Sequence, residues 1–211
     1  MSENLKRLFF SPFILKASRA RKIAYIAMMV ALSIVGNMFF EFKLGAVQYS
    51  FTTLVSALIG ILIGPIAGFI ACFIGDGVGF IANPFGAYTP WIGLATGLVA
   101  FISGFIVHFI KNDKPYTIYV KLAIISVSTF LICSVCINGM FLWLVWYSKM
   151  TFFEFLIYRY IALGQLFVSI INYAVLFALI PIFKRVTFFK DLQLGPSFKK
   201  EINEAENVEQ N

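Results

Sequence analysis

Between Lys22 and Phe183 the chain is a succession of apolar stretches, separated by short breaks rich in glycine, proline or charge. A run of about 20 apolar residues is what a helix needs to cross the hydrocarbon of a bilayer. Only a helix or a closed barrel satisfies its own backbone hydrogen bonds there. The stretches read as six helices, over 22–42, 51–64, 65–82, 90–110, 118–146 and 155–183. The composition agrees: 60% of the residues are hydrophobic and 13% are charged, against roughly 25% charged in soluble domains. The expected fold class is therefore all-α and integral to a membrane, with six transmembrane helices. The expected location is the cell membrane, in multi-pass form.

The net charge of +7 raises the question of nucleic acid, and the positions of the bases answer it. Lys6, Arg7, Lys16, Arg19, Arg21 and Lys22 precede or open the first helix. Lys111, Lys114 and Lys121 flank a central loop, and Lys184, Arg185, Lys190, Lys199 and Lys200 follow the last helix. Only Lys43, Lys149 and Arg159 fall on the other side, a split of fourteen to three. This is the positive-inside distribution, with both termini cytoplasmic. It expresses topology, and no nucleic-acid partner is expected.

Three divisions of the chain follow. Residues 1–21 form a basic, aromatic N-terminal segment that reads either as an interfacial stretch on an anionic membrane surface or as a frayed, charged terminus. Residues 22–186 form the membrane domain, and residues 187–211 a polar cytoplasmic tail. No cleavable signal peptide is expected, because the first apolar run is long and lacks a small-residue cleavage site. Cys72, Cys133 and Cys136 all lie in apolar runs and read as small buried hydrophobes. With His108 the only histidine, neither a metal nor a cofactor is expected.

Polar groups in the spans carry the functional signal, because an ionisable residue at membrane depth is costly. Asp76 and Arg159 are the two such residues in the expected outer half. Around them the topology gathers Gln48, Asn83, Tyr88, Trp91, Asn138, Trp143 and Gln165. Together these nine residues are the expected substrate-binding set, a few placed polar groups in mostly apolar walls. Each has a plainer reading: Asp76 could tie helices together, Arg159 could snorkel to the interface, and the tryptophans could belong to the interfacial belt. Ala24, Ala27 and Ala31 place small side chains on one face of the first helix, where another helix can approach closely.

These features, taken in order, resemble the substrate-binding S-components of energy-coupling factor (ECF) vitamin transporters. The residues that carry the resemblance are Ala27 and Ala31, the short second helix ending at Gly64-Pro65, and the run from Ser50 to Pro90. Asn138, Leu142 to Leu144, and Arg159 at the opening of the last helix add to it. The run from Ser50 to Pro90 is similar to the folate-type subfamily. The fourth helix opens PWIGLAT, where folate-type members carry a Pro-Gly-Phe-Thr-like sequence.

The resemblance implies an all-α membrane subunit that captures a vitamin at the outer face, with the first outside loop as a lid. It further implies docking through Ala24, Ala27 and Ala31 on a coupling transmembrane subunit, energised by two ATPase subunits. Folate is the expected vitamin, since Arg159 favours a carboxylate-bearing ligand; pantothenate and pyrimidine precursors are the alternatives. The chain has no G-x-x-x-x-G-K-[ST] phosphate loop of its own. An intramembrane enzyme is disfavoured, because Ser103 and His108 lie on poorly matched helix faces and no carboxylate pair or metal cluster is present. A channel is disfavoured because the polar groups gather at one side.

Overall fold

The computed structural model describes residues 11, 18–39, 41–44, 47–84, 88–110 and 116–183. The tail 187–211 lies outside these residues, as does the N-terminal segment 1–21 apart from Ser11 and residues 18–21. The elements in chain order are α1 (Arg19–Phe39), β1 (Glu41–Leu44), β2 (Val47–Ser50), α2 (Thr52–Ile63), α3 (Pro65–Ala82) and α4 (Pro90–Phe109). A continuous 30-residue rod then follows. It consists of α5 (Thr117–Thr129), a π-helical segment π1 (Phe130–Gly139) and α6 (Met140–Trp146). The chain ends in α7 (Phe152–Ile157), a second π-helical segment π2 (Tyr158–Ala162) and α8 (Gln165–Phe183).

Four helical stretches are long and apolar enough to cross a membrane: α1, α3, α4 and the rod from Thr117 to Trp146. Two of the six expected spans differ. α2 has 12 residues, about 18 Å at the helical rise, which is short of the hydrocarbon thickness. The last expected span is broken, with π2 and α8 meeting at a bend of 62°. Gly164, at φ +68°, makes that bend, in the left-handed region that only glycine adopts freely. α7 also starts three residues earlier than expected. Thr151 is its cap: its hydroxyl accepts from the Glu154 N–H while the Thr151 N–H donates to Glu154 Oε2.

The connection between the first two expected helices is a hairpin of β1 and β2, with Glu41 opposite Ser50 and Lys43 opposite Gln48. Two side chains tie it to the end of the molecule. The Tyr49 hydroxyl donates to the Leu163 carbonyl at 2.8 Å, at the break before α8. Asn172, buried in α8, accepts from the Leu54 N–H and donates to the carbonyls of Ser50 and Val168.

The tightest packing joins α1, α2, α3 and α4. α2 crosses α4 where Gly60 meets the Ala100 carbonyl, so closely that a Cβ on Gly60 would overlap it. α1 meets α3 where Ser33 and Asn37 lie over Gly75 and Gly79, and Asn37 Nδ2 donates to the Gly75 carbonyl at 3.2 Å. Ile59, Ile63, Ala71, Cys72 and Ala100 fill the core between them. A second cluster, built on Leu122, Ile125, Cys133 and Leu176, joins α4 to the rod and to α8.

At the other end of α4 lies Lys121, expected to flank a loop. It is buried on α5, where its Nζ donates to the Val107 carbonyl at 3.3 Å and supplies a cation to a helix C-terminus. His108 Nδ1 donates to the Gly104 carbonyl within the same helix end. Cys133 is buried and Cys136 exposed, so the expectation that both are buried fails for Cys136. The wider π winding puts residues three apart on different faces.

Candidate functional site

The nine expected site residues separate into two groups and a remainder. The first group lies on the seam between α3 and α4. Asp76 Oδ1 accepts a long 3.4 Å hydrogen bond from Thr96 Oγ1. Its Oδ2 lies 2.9 Å from where a Cβ on Gly93 would stand, so the glycine is what lets the carboxylate reach α4. The Tyr88 hydroxyl covers the same glycines, 3.3 Å and 3.4 Å from the Cβ positions of Gly77 and Gly93, and its ring rests on Phe80. Partial burial, and then the charge of Asp76, push the Tyr88 phenol above its ordinary pKa, so it stays a neutral donor. Asn83 closes α3, its N–H donating to the Gly79 carbonyl.

The second group lies where π1 faces π2. Gly139, the last residue of π1, leaves room for Leu156 and for the Arg159 guanidinium, whose Nη1 is 4.0 Å from the glycine's Cβ position. Asn138 is one residue earlier. Tyr160 follows Arg159 and packs its ring at 5.3 Å on Phe130, which opens π1. Three polar atoms here are buried without a hydrogen-bond partner: Arg159 Nη1, Asn138 Oδ1 and the Tyr160 hydroxyl. The Tyr160 hydroxyl points toward Ser134 at a geometry short of a hydrogen bond. The ionisable groups acting on Arg159 are the phenols of Tyr160 and Tyr147, with no carboxylate among them.

Buried polar groups are almost always paired, and π-helical insertions recur at functional sites. Three orphans on two facing π segments therefore mark a place built to receive something. Trp91 stands near it, with its ring stacked at 4.5 Å on Phe141, which lies three residues beyond Asn138.

The remaining residues are placed differently. Trp143 Nε1 donates to the Met150 carbonyl at 2.7 Å and its ring meets Phe152 edge-on, so it fastens the turn between α6 and α7. Gln165 opens α8 just past the break. Gln48 lies on β2, and its side chain is outside the described part. Tyr160 and Asn172 were not anticipated. Asn172 carried a readable signal, an amide in the middle of an apolar helix; Tyr160 had only its place beside Arg159. Ala24, Ala27 and Ala31 are all exposed on α1, turned away from the face that packs on α3.

A sequence model of the family described as "ECF-type riboflavin transporter, S component" matches residues 17–184. No curated protein matches the chain by sequence. Among solved structures, the crystal structure of FolT bound with folic acid is similar in fold, with a TM-score of 0.62 and 20% sequence identity. That likeness covers 79% of this chain and 96% of the other.

Proposed function

The chain belongs to the family of ECF-type riboflavin transporter S components, and we propose that it captures its vitamin between π1 and π2, on Arg159. As a family member it is the solute-capturing subunit of a vitamin transporter and a membrane protein, not an enzyme. One observation carries the choice of site. A guanidinium N–H is buried without an acceptor, and among the described residues no carboxylate answers its charge. An uncompensated buried cation is strongly unfavourable, so a ligand that supplies a strong acceptor gains correspondingly.

Folate is the first reading. It carries carboxylates and a ring carbonyl, and the folate-bound FolT structure shares the fold. Riboflavin is the second, favoured by the description of the family itself. Pantothenate and pyrimidine precursors come after both. Asp76, Tyr88, Asn83, Trp91, Gln48 and Gln165 complete the proposed surroundings of the ligand. Trp143, engaged with Met150, has its indole N–H already occupied.

The proposed topology has six membrane segments within residues 22–186, counting α2 and the bent pair as one each, in the cell membrane. Both termini are cytoplasmic and the hairpin is outside, as the basic residues favour. The exposed Ala24, Ala27 and Ala31 form the proposed docking face for the coupling subunit, with two ATPase subunits behind it. Replacing Ala27 and Ala31 by leucine should abolish uptake in cells while calorimetric vitamin binding is kept; lost binding would refute that assignment.

Arg159→Ala tests the site directly. Affinity of the purified protein should fall by about 10- to 1,000-fold, from a charged hydrogen bond worth roughly 1.5–3 kcal/mol and somewhat more when buried. The melting temperature without ligand should hold or rise, because an unpaired buried cation is removed. Unchanged affinity for both folate and riboflavin would remove Arg159 from the site.

A further inference from the structure

The last membrane segment breaks between π2 and α8, and neighbouring residues of one strand hold both arms of the break. The Ser50 carbonyl, at the end of β2, accepts from Asn172 Nδ2 on α8 at 3.1 Å. The Tyr49 hydroxyl, one residue earlier, donates to the Leu163 carbonyl at 2.8 Å, where π2 ends. β2 thus grips the chain on either side of Gly164. Asn172 also accepts from the Leu54 N–H, and Leu176 lies in the core beside the rod, so α8 is the fixed arm. The other arm is α7 with π2, which turns Phe153, Ile157 and Ile161 outward and carries Arg159.

The Leu163 carbonyl is the point of competition. In an unbroken α-helix it would accept from the N–H four residues on, that of Phe167. Here the Phe167 N–H donates to the Gly164 carbonyl at 3.1 Å, and the Tyr49 hydroxyl takes the acceptor it leaves. Bent and straight forms of the segment therefore contend for one oxygen. The bend needs Gly164 at φ +68°, whereas a continuous helix needs it near −60°. A Cβ on Gly164 would have nothing within 4 Å. The backbone angle, and no clash, is what makes glycine necessary there.

We propose that Tyr49 is a positioning residue for capture: its bond to the Leu163 carbonyl keeps the last membrane segment bent, and the bend keeps the Arg159 guanidinium against Gly139. Without the hydroxyl, the Phe167 N–H reclaims the carbonyl and the segment straightens about Gly164. Arg159 lies about 6 Å along the helix from the break. A swing through the 62° of the bend carries it a similar distance, beyond hydrogen-bond reach of its present place. Apparent affinity then falls with the fraction of molecules that are bent. The inference rests on capture at Arg159 and adds what brings that side chain there.

The test combines binding with a distance measured on the purified full chain. Spin labels go on Phe153→Cys in α7 and Ala178→Cys in α8, both exposed positions. The exposed Cys136 is replaced by serine so that it takes no label, while Cys72 and Cys133 are buried. Straightening arms of about 15 Å and about 21 Å lengthens the separation by about 5 Å. Without ligand, Tyr49→Phe and Gly164→Ala should both show this longer separation, and saturating vitamin should restore the shorter one. Affinity for whichever of folic acid and riboflavin binds should fall by about 3- to 10-fold in Tyr49→Phe. In Gly164→Ala it should fall by about 5- to 30-fold, because alanine resists the left-handed region. Gly164→Asn, which tolerates that region, should stay within about 3-fold of wild type.

An unchanged separation in both variants overturns the inference. So does a loss of affinity in Tyr49→Phe without a change in separation, which would place the hydroxyl on the vitamin itself. A longer separation with unchanged affinity also overturns it, since the bend would then not position Arg159. Equal losses in Gly164→Asn and Gly164→Ala would replace the backbone angle by bulk as the cause and overturn the competition at Leu163. Failure of wild type to bind either vitamin overturns the capture reading instead, and the separation without ligand still decides whether Tyr49 holds the bend.

Discussion

From Arg19 to Phe109, α2 meets α3 and α4 backbone against backbone, and α1 sets side chains directly on α3 glycines. From Thr117 to Phe183, by contrast, the helices meet through larger side chains and include two π-wound segments. In the first half, glycines bring α2 onto α4 and α1 onto α3 so closely that added carbon has nowhere to go. Polar side chains there bridge helices, as Asn37 Nδ2 does to the Gly75 carbonyl and Asp76 to Thr96, and Asn37 Oδ1 is the one buried side-chain atom there without a partner among the described residues. In the second half, π1 and π2 meet through Phe130 with Tyr160 and Gly139 with Arg159, and four polar atoms are buried with no partner among the described residues, three of them on these two segments. The contrast assigns different work to the two halves. A close-packed bundle has few alternative arrangements and suits a scaffold that presents an outward face such as that of α1. Unpaired buried groups cost stability that a ligand can return, which suits capture.

The sharpest way to break that contrast is at Gly60. A methyl group there would overlap the Ala100 carbonyl, and a backbone atom, unlike a side-chain tip, cannot swing away. Gly60→Ala should therefore cost more than about 3 kcal/mol, at or beyond the upper range for overpacking. The readout is the melting temperature in detergent and the yield of folded protein. A loss under about 1 kcal/mol would mean that the first half is less rigid than its contacts imply.

The next effect lies where the halves meet. Asn172 reaches from α8 to the Leu54 N–H and the Ser50 carbonyl, fastening the hairpin and α2 to the second half. Asn172→Leu keeps the volume and strands those two backbone groups, at about 2 kcal/mol. The loss should appear in the melting temperature of unliganded protein. If ligand binding changes and stability does not, Asn172 belongs to the site and not to the seam.

Much of the first half could be read from the chain alone, and the reason is physical. Gly64-Pro65 stops one helix and starts another by local sterics, and Pro90 opens a third. Glycine spacing signals close approach without saying to what. In the second half the sequence is uniformly apolar, so no period distinguishes an α from a π winding, and π1 was invisible. The bend at Gly164 follows from one positive φ in a run whose hydropathy never falters. Arg159 and Asn138 were legible as candidates because charge and amide are conspicuous in lipid. That the Arg159 guanidinium reaches π1 at all depends on Gly139 and on the path of two π segments, which no local rule encodes. Trp143 was misleading for the converse reason: its indole reads as an aromatic ligand contact, yet a backbone carbonyl four residues past its own helix takes its N–H.

The smallest expected effect is the most discriminating, because it repeats the Gly60 substitution in the other half. Gly139 is as buried as Gly60, so burial alone predicts the same penalty for both. The surroundings differ: a Cβ on Gly139 would stand 3.4 Å from the Ser134 carbonyl and 3.5 Å from Leu156 Cδ2, at ordinary contact distances. Alanine also relieves the conformational freedom that glycine carries into a helix, a gain of roughly 0.5–1 kcal/mol. With no clash to offset it, the gain stays small, and Gly139→Ala should change stability by less than about 1 kcal/mol. The Arg159 guanidinium, 4.0 Å from the new methyl, need not move, so vitamin affinity should stay within about 3-fold, below 1 kcal/mol. Parallel melts of Gly60→Ala and Gly139→Ala decide between burial and packing as the source of the contrast: equal losses favour burial, and a difference of about 2 kcal/mol or more favours the backbone contact at Ala100.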